Sequence, residues 1–227
     1  MHPNVATRAK ELTHALLAFG EALALLQSEI LEHAYSSVDT VGLDREELRN
    51  KGWWSFSHIE PITRHLSLDM TEDAFLDRCE ALCKMLIECY KEGDLRKILE
   101  KLGCSHEKTK ELGGLRLLNL LINLCQVAVQ SGLQLLDDSA EVLKRFELES
   151  ERNRIPHIFA LYELRKLKSH RNEMSRPKKM KDVLDTFDIE CASTVPGWGS
   201  AADRVYDALI EELVFCQKTL RSCISGR

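Results

Sequence analysis

Glycine and proline are scarce in this sequence, with 11 Gly and 5 Pro among 227 residues. This scarcity excludes collagen-like chains and Gly/Pro-rich linkers, and it argues against a turn-rich all-β fold. No stretch alternates β-branched and polar residues as a half-buried strand would. Basic residues are not in excess either, and a net charge of −5 argues against a protein that coats nucleic acid with its whole surface.

Several sequence motifs of catalysis and targeting are also missing. There is no Gly-rich phosphate loop, no G-x-S-x-G and no H-E-x-x-H. The N-terminus lacks the basic start, apolar core and cleavage site of a secretory signal, so a cytoplasmic location is expected. The eight cysteines lack the repeated paired spacing of a zinc site, so we expect reduced thiols, no metal and no cofactor.

Apolar residues at spacings of three and four predict helices along most of the chain. The first helix is expected from Val5 to Tyr35. Thr71 is expected to cap a helix that ends near Gly93, and Asp94 to cap a short one after it. Ser105 is expected to cap a further helix that continues through Gly113 and Gly114, where it can bend or break.

That last helix includes the most apolar run of the chain, from Leu115 to Leu136, which is long enough to cross a bilayer. A polar stripe runs along it, however, and favours a buried central helix with one hydrogen-bonded edge over a membrane span. The stripe consists of Arg116, Asn119, Asn123, Gln126 and Gln130.

Taken together, these patterns predict an all-α helical bundle with an additional N-terminal helical segment. A boundary is expected near residue 70. Residues 1–70 would then form the N-terminal helix with an irregular aromatic loop, and residues 71–227 the helical bundle. One continuous domain is the alternative.

Positive charge is concentrated in one place, residues 165–181, which we call the basic segment. It contains eight Lys or Arg and one acid, a net charge of +7, so the other 210 residues carry −12. A solvated helix face explains many such runs. The alternative is a site for an anion, most simply a nucleic-acid backbone. The expected nucleic-acid ligands are Lys166, Lys168, Arg171, Lys178 and Lys179.

Within the basic segment, Arg165 and His170 form a minimal pair for cleaving RNA without a metal. The ordinary pKa of histidine lies near neutrality, so His170 can take a proton from a 2′-hydroxyl or give one to a leaving oxygen. Arginine offers a planar fork that stabilises negative charge on a phosphate. Five helical steps set the two side chains about 140° apart, so either the helix ends at His170 or a second subunit completes the site.

The sequence from Arg165 to His170, RKLKSH, resembles the R-x(4–6)-H motif of HEPN domains. The late apolar helix and the long helix after it match as well, and the resemblance covers about residues 71–227. It implies an all-α domain that forms homodimers and cleaves RNA without a metal, with Arg165 and His170 as the catalytic pair. Lys166 stands where the family often has Asn, Asp or His.

The resulting hypothesis is a metal-independent endoribonuclease of toxin or defence type, with RNA as substrate and an antitoxin or other protein as a further partner. Its reaction would leave a 2′,3′-cyclic phosphate. Some relatives of the fold are inactive, so a non-catalytic module that binds nucleic acid or a protein is the alternative. A purely structural helical domain of a larger protein is a third.

Several other polar and aromatic residues are expected to have structural rather than catalytic roles. His157 is expected at the surface or at a helix start, and Trp198 is expected to fix the loop before the last helix. Arg204 and Asp207 are expected to pair on that helix. His58 and His65, in the aromatic loop, are the remaining candidates for a second polar site.

Overall fold

The structure, a computed structural model, describes residues 5–54, 56, 59–63, 67–148, 152–169 and 174–224. Over these residues the chain forms twelve α-helices and a 3₁₀ helix, Cys191–Thr194, and it forms no strand. The predicted all-α class is therefore confirmed. The helices are α1 Val5–Leu31, α2 Ser37–Val41, α3 Arg45–Lys51, α4 Glu60–Thr63, α5 Glu72–Leu86, α6 Glu92–Lys101, α7 His106–Thr109, α8 Gly114–Ser131, α9 Ser139–Leu148, α10 Pro156–Ser169, α11 Arg176–Thr186 and α12 Gly199–Ile224.

The chain divides into two compact units, each built from three separate stretches of sequence. Unit 1 consists of Met1–Leu16, Asp44–Glu88 and Pro156–Glu212, and unit 2 consists of Leu17–Leu43, Cys89–Ile155 and Leu213–Arg227. Both α1 and α12 contribute residues to each unit. The boundary near residue 70 stays a prediction.

In unit 1, α10 packs against α5 and α11. Trp198 lies on Phe75 with 4.9 Å between ring centroids, and its amide donates to the Met70 carbonyl at 3.0 Å. The prediction that Trp198 fixes the loop before the last helix is confirmed. Gly197 has φ +143°, and a β-carbon there would come within 2.2 Å of the Leu68 carbonyl oxygen, so only glycine fits this position.

One ion pair of unit 1 differs from the prediction. Asp207 does not pair with Arg204, its neighbour on α12. Its Oδ1 accepts a hydrogen bond from Arg8 Nε at 2.7 Å, and Asp203 lies 3.2 Å from the same guanidinium. The spacing along one helix could not show this, because the partner comes from the other end of the chain.

In unit 2, α8 is the buried helix predicted from the apolar run, and it packs against α6 and α9. It is separate from α7, which begins after the predicted cap Ser105. Gly113 is the N-cap of α8, and the Gly114 amide donates to the Glu92 carboxylate at 2.8 Å, so the glycine pair breaks the helix. The helix ends at a left-handed Gly132 rather than near Leu136.

The boundaries of α5 and α6 also test the prediction. Thr71 caps α5, and its hydroxyl accepts a hydrogen bond from the amide three residues on, at 3.2 Å, as expected. However, α5 ends at Leu86 rather than near Gly93, and α6 begins at Glu92. Asp94 therefore lies in the first turn of α6 and does not cap it.

The first helix, α1, ends at Leu31 rather than at Tyr35, because Glu32 has a left-handed backbone with φ +53°. By length and composition alone, Thr7–Leu31 could cross a membrane. Its most apolar window is 61% buried inside the protein, as in the core helix of a water-soluble domain. This feature is weak evidence for a membrane span.

Candidate functional site

Helix α10 carries the first half of the basic segment, and its apolar side holds it in unit 1. Ile158, Leu161, Leu164 and Leu167 are buried at spacings of three, and of the positions between them only Ala160 is also buried. The helix begins at Pro156, a residue suited to the first helical position because it has no amide hydrogen to satisfy.

Arg165 lies on the side of α10 that faces α5. Its Nη1 atom is 2.5 Å from the Glu88 carboxylate and 3.9 Å from the Cys83 sulfur. The Arg165 side chain is 33% exposed and that of Glu88 is 47% exposed. Burial raises the pKa of Cys83, so its sulfur stays a neutral neighbour of the guanidinium. Arg165 is thus ion-paired but reachable from solvent.

Lys168, one turn of helix further on, binds two carboxylates of α5. Its Nζ atom is 2.7 Å from Asp77 and also binds Glu80. The Glu80 carboxylate forms a second ion pair, with Lys84 at 2.8 Å. Hydrogen bonds from Lys168 and Lys84 lower the pKa of Glu80 to about 2, so this carboxylate stays charged in ordinary buffers.

Lys166 has its contacts on α10 itself. Its Nζ is 2.6 Å from the Glu163 carboxylate and 4.4 Å from the centre of the Tyr162 ring. Arg176, at the start of α11, pairs with Glu72 at the start of α5. Four described cations of the basic segment therefore have carboxylate partners. The positive charge counted along the chain is offset in space by acidic residues, and for three of these cations the acids are distant in sequence.

The remaining predicted ligands fall into two groups. Lys178 and Lys179 are exposed on α11, as a surface for a ligand requires. His170 and Arg171 lie outside the described residues, as do His58 and His65. His170 directly follows the last described residue of α10, Ser169.

His157 is involved in a hydrogen-bonded group that the sequence did not reveal. The Glu212 carboxylate, only 4% exposed, accepts hydrogen bonds from the amides of His157 and Ile158 at 2.9 and 2.8 Å. His157 Nδ1 is 3.0 Å from the same carboxylate, and its ring packs on Phe187. Glu212 thus satisfies the free amides at the start of α10, and its hydrogen bond raises the pKa of His157.

The cysteines give no second site. All eight are free, and five of them, Cys79, Cys83, Cys125, Cys216 and Cys223, are buried, as expected for small core residues. Burial raises the pKa of Cys89 to about 12. Within the described ranges, no group of three or more His, Cys, Asp or Glu side chains is arranged to hold a metal ion.

The chain was also compared with known proteins. No protein-family model, no curated protein and no solved structure matches it.

Proposed function

We propose that this chain is a cytoplasmic, HEPN-like endoribonuclease of toxin or defence type, which acts as a homodimer without a metal. The observation that carries the proposal is the position of Arg165. Its side chain is a third exposed on α10, and the one carboxylate that pairs with it among the described residues, Glu88, is itself half exposed. An exposed ion pair of this kind contributes little free energy, so a phosphate can replace Glu88 at small cost.

In the proposed reaction, the 2′-oxygen of RNA attacks the neighbouring phosphorus. The bond from phosphorus to the 5′-oxygen of the next nucleotide breaks, which leaves a 2′,3′-cyclic phosphate and a 5′-hydroxyl. His170 of one copy takes the 2′-hydroxyl proton, and the same residue of the second copy gives a proton to the 5′-oxygen. Arg165 stabilises the charge that builds on the phosphate oxygens.

The second candidate function is a non-catalytic module that binds nucleic acid or a protein partner such as an antitoxin. The ion pairs of the basic segment favour it. Lys168 is held by Asp77 and Glu80, and Arg165 by Glu88, so these cations already have anionic partners. A protein that keeps the fold but no longer catalyses the reaction does not need a free arginine, so these ion pairs are compatible with it.

Cleavage of a labelled single-stranded RNA separates the two functions. We expect R165A and H170A each to abolish cleavage while the thermal melt stays that of the wild type. EDTA should have no effect, and the product should carry a 2′,3′-cyclic phosphate. R145A is the matched control, because Arg145 is also an arginine paired with a carboxylate, Glu141, at 3.1 Å.

Two results would decide against the nuclease. If the wild type cleaves no RNA but binds it with an affinity that falls as salt rises, the binding module is correct. If cleavage persists in both R165A and H170A, the reaction belongs to other residues or to a contaminant. Mixing H170A with the wild type tests the dimer, because a site that needs His170 from both copies should lose activity when one copy is replaced by the variant.

A further inference from the structure

A second group of arginines lies in unit 2, around the segment 152–155 that precedes α10. Two buried side chains of α8 hold the backbone of this segment. The amides of Asn119 and Asn123 donate to the Arg152 carbonyl at 3.2 and 2.8 Å. The Asn119 side-chain oxygen accepts a hydrogen bond from the Arg154 backbone amide at 2.9 Å. Both arginine side chains therefore start from a fixed backbone.

Arg116 lies on the same face of α8 as these two asparagines. It is three residues before Asn119 and seven before Asn123, which is the spacing of one helix face. Asn123 lies about 10 Å further along the axis than Arg116, at 1.5 Å per residue. Arg154 Nε donates to the Asn123 oxygen at 3.2 Å, which places that guanidinium near the far end of the row. We call Arg116, Arg152 and Arg154 the arginine cluster.

Several cations of unit 2 have acidic partners, and the arginine cluster can be compared with them. Lys108 pairs with Glu147 at 2.6 Å, and Arg145 pairs with Glu141. Within the part of the chain that the structure describes, no carboxylate forms an ion pair with any of the three arginines of the cluster. Arg116 and Arg152 are exposed, and each guanidinium offers five hydrogen-bond donors.

The arrangement suits a chain of phosphates better than a single anion. Guanidinium groups bind phosphate oxygens in a bidentate way. A row about 10 Å long is longer than one phosphate group, so it can contact more than one phosphate of the same strand.

We propose that the arginine cluster binds the phosphate backbone of single-stranded RNA on unit 2. The choice of RNA as the polyanion rests on the proposed function, whereas the anion site itself does not. The buried asparagines act as positioning residues, because they fix the backbone of the arginines and leave the guanidinium groups of Arg116 and Arg152 free for the ligand.

The test is a fluorescence anisotropy titration of the full chain with a single-stranded RNA of about 16 nucleotides. The RNA carries 2′-O-methyl groups, so it cannot be cleaved and binding is measured without the reaction. The variants are R116Q and R152Q. In the wild type, the side chains of these two arginines make no hydrogen bond within the described residues, so their replacement should not disturb the fold. R145Q is the control.

We expect each of R116Q and R152Q to weaken binding about fivefold at about 0.1 M salt and to lower the salt slope by about 0.7. The control R145Q should bind as the wild type does. The proposal is overturned if the double variant R116Q/R152Q binds the RNA as tightly as R145Q does, or if the wild type does not bind the RNA.

These outcomes are distinct from those of the cleavage test. RNA that is bound through the arginine cluster but never cleaved would refute the nuclease and leave this site standing. Cleavage that depends on Arg165 and His170, together with normal RNA binding by R116Q and R152Q, would support the nuclease and refute the arginine cluster as an RNA site.

Discussion

The basic residues of α10 in unit 1 and the arginine cluster of unit 2 have opposite electrostatic surroundings. On α10, Arg165 and Lys168 lie against carboxylates of α5 and of the residues that follow it. In the arginine cluster, the described residues provide no ion-pair partner. The segment with the larger net charge in the sequence is thus the better neutralised one.

This difference teaches that charge counted along a chain is a poor guide to charge at a surface. The basic segment drew attention because its cations are neighbours in sequence. The acids that neutralise Lys168, Asp77 and Glu80, are about ninety residues away in the sequence. The arginine cluster is inconspicuous in the sequence, because Arg116 is far from the other two members and Glu151 lies beside them.

The two regions also differ in how they are anchored. In unit 1 a buried carboxylate, Glu212, holds the start of α10 through two amides and His157. In unit 2 two neutral amides, Asn119 and Asn123, hold the segment 152–155. A charged anchor forms stronger hydrogen bonds and responds to pH, whereas a neutral anchor does neither.

The largest expected effect is that of removing the charged anchor. E212A deletes the acceptor of three hydrogen bonds at the start of α10, and we expect it to lower the free energy of unfolding by about 3 kcal/mol. Urea unfolding followed by circular dichroism measures this. The exposed neighbour Glu211 gives the control E211A, and equal stability of the two variants would contradict the anchoring role.

Removing a neutral anchor should lower the free energy of unfolding less than removing Glu212 does. N123A loses the hydrogen bonds to the Arg152 carbonyl and from Arg154, and we expect a loss of about 2 kcal/mol. The same urea experiment applies, with Q130A as control, because Gln130 is exposed on the same helix. A loss as large as that of E212A would show that the charge of the anchor is unimportant.

The pH dependence of stability should distinguish the two anchors. The hydrogen bond to Glu212 raises the pKa of His157, with Glu211 and the Thr186 carbonyl acting in the same direction and burial acting against it. A raised pKa means that the charged form is favoured in the folded state. The stability contribution is therefore complete below the unfolded pKa of about 6.5 and is lost as pH rises through the higher folded pKa.

We accordingly expect H157Q to remove part of the decline in stability between mildly acidic and mildly alkaline pH, an effect smaller than that of E212A. Unfolding midpoints measured across this range, relative to the wild type, test the expectation. His14 must be left intact in both proteins, because burial lowers its pKa and its contribution has the opposite sign. A decline that is unchanged in H157Q would assign it to other groups.

The smallest effect on stability is expected at the exposed pair of α10. E88Q should change the free energy of unfolding by less than about 1 kcal/mol, because Glu88 and Arg165 are both accessible to solvent. Affinity for RNA should rise, since Arg165 loses its competing anion. The control is E141Q, which frees Arg145, a cation outside the basic segment. A fall in affinity for E88Q would show that Glu88 positions Arg165 rather than competing for it.

Much of the fold could be predicted from the sequence, because helices follow from local spacing. The apolar run after Gly114, the cap at Thr71 and the role of Trp198 all follow from the pattern of near neighbours. The predicted helix ends are less accurate where the real end depends on the backbone conformation of one residue, as at Glu32. They are also less accurate where a helix start makes a tertiary contact, as at Glu92.

The electrostatics of the candidate site could be predicted only in part. The sequence pointed to Arg165 as a candidate catalytic cation, but its partner Glu88 belongs to the turn after α5 and was not foreseen. Glu212 gave no signal, because one more acid on an amphipathic helix looks like a surface residue until its burial is known. Contacts of this kind depend on how helices pack, and periodicity does not encode the partner.

The division of α12 between both units has a consequence for how the protein is made. Unit 1 needs residues up to Glu212, and unit 2 needs the residues after it. Neither unit can complete its core before its part of α12 has left the ribosome. Until then synthesis delivers a chain with two open cores, and helper proteins that shield apolar surface would act on it at this stage.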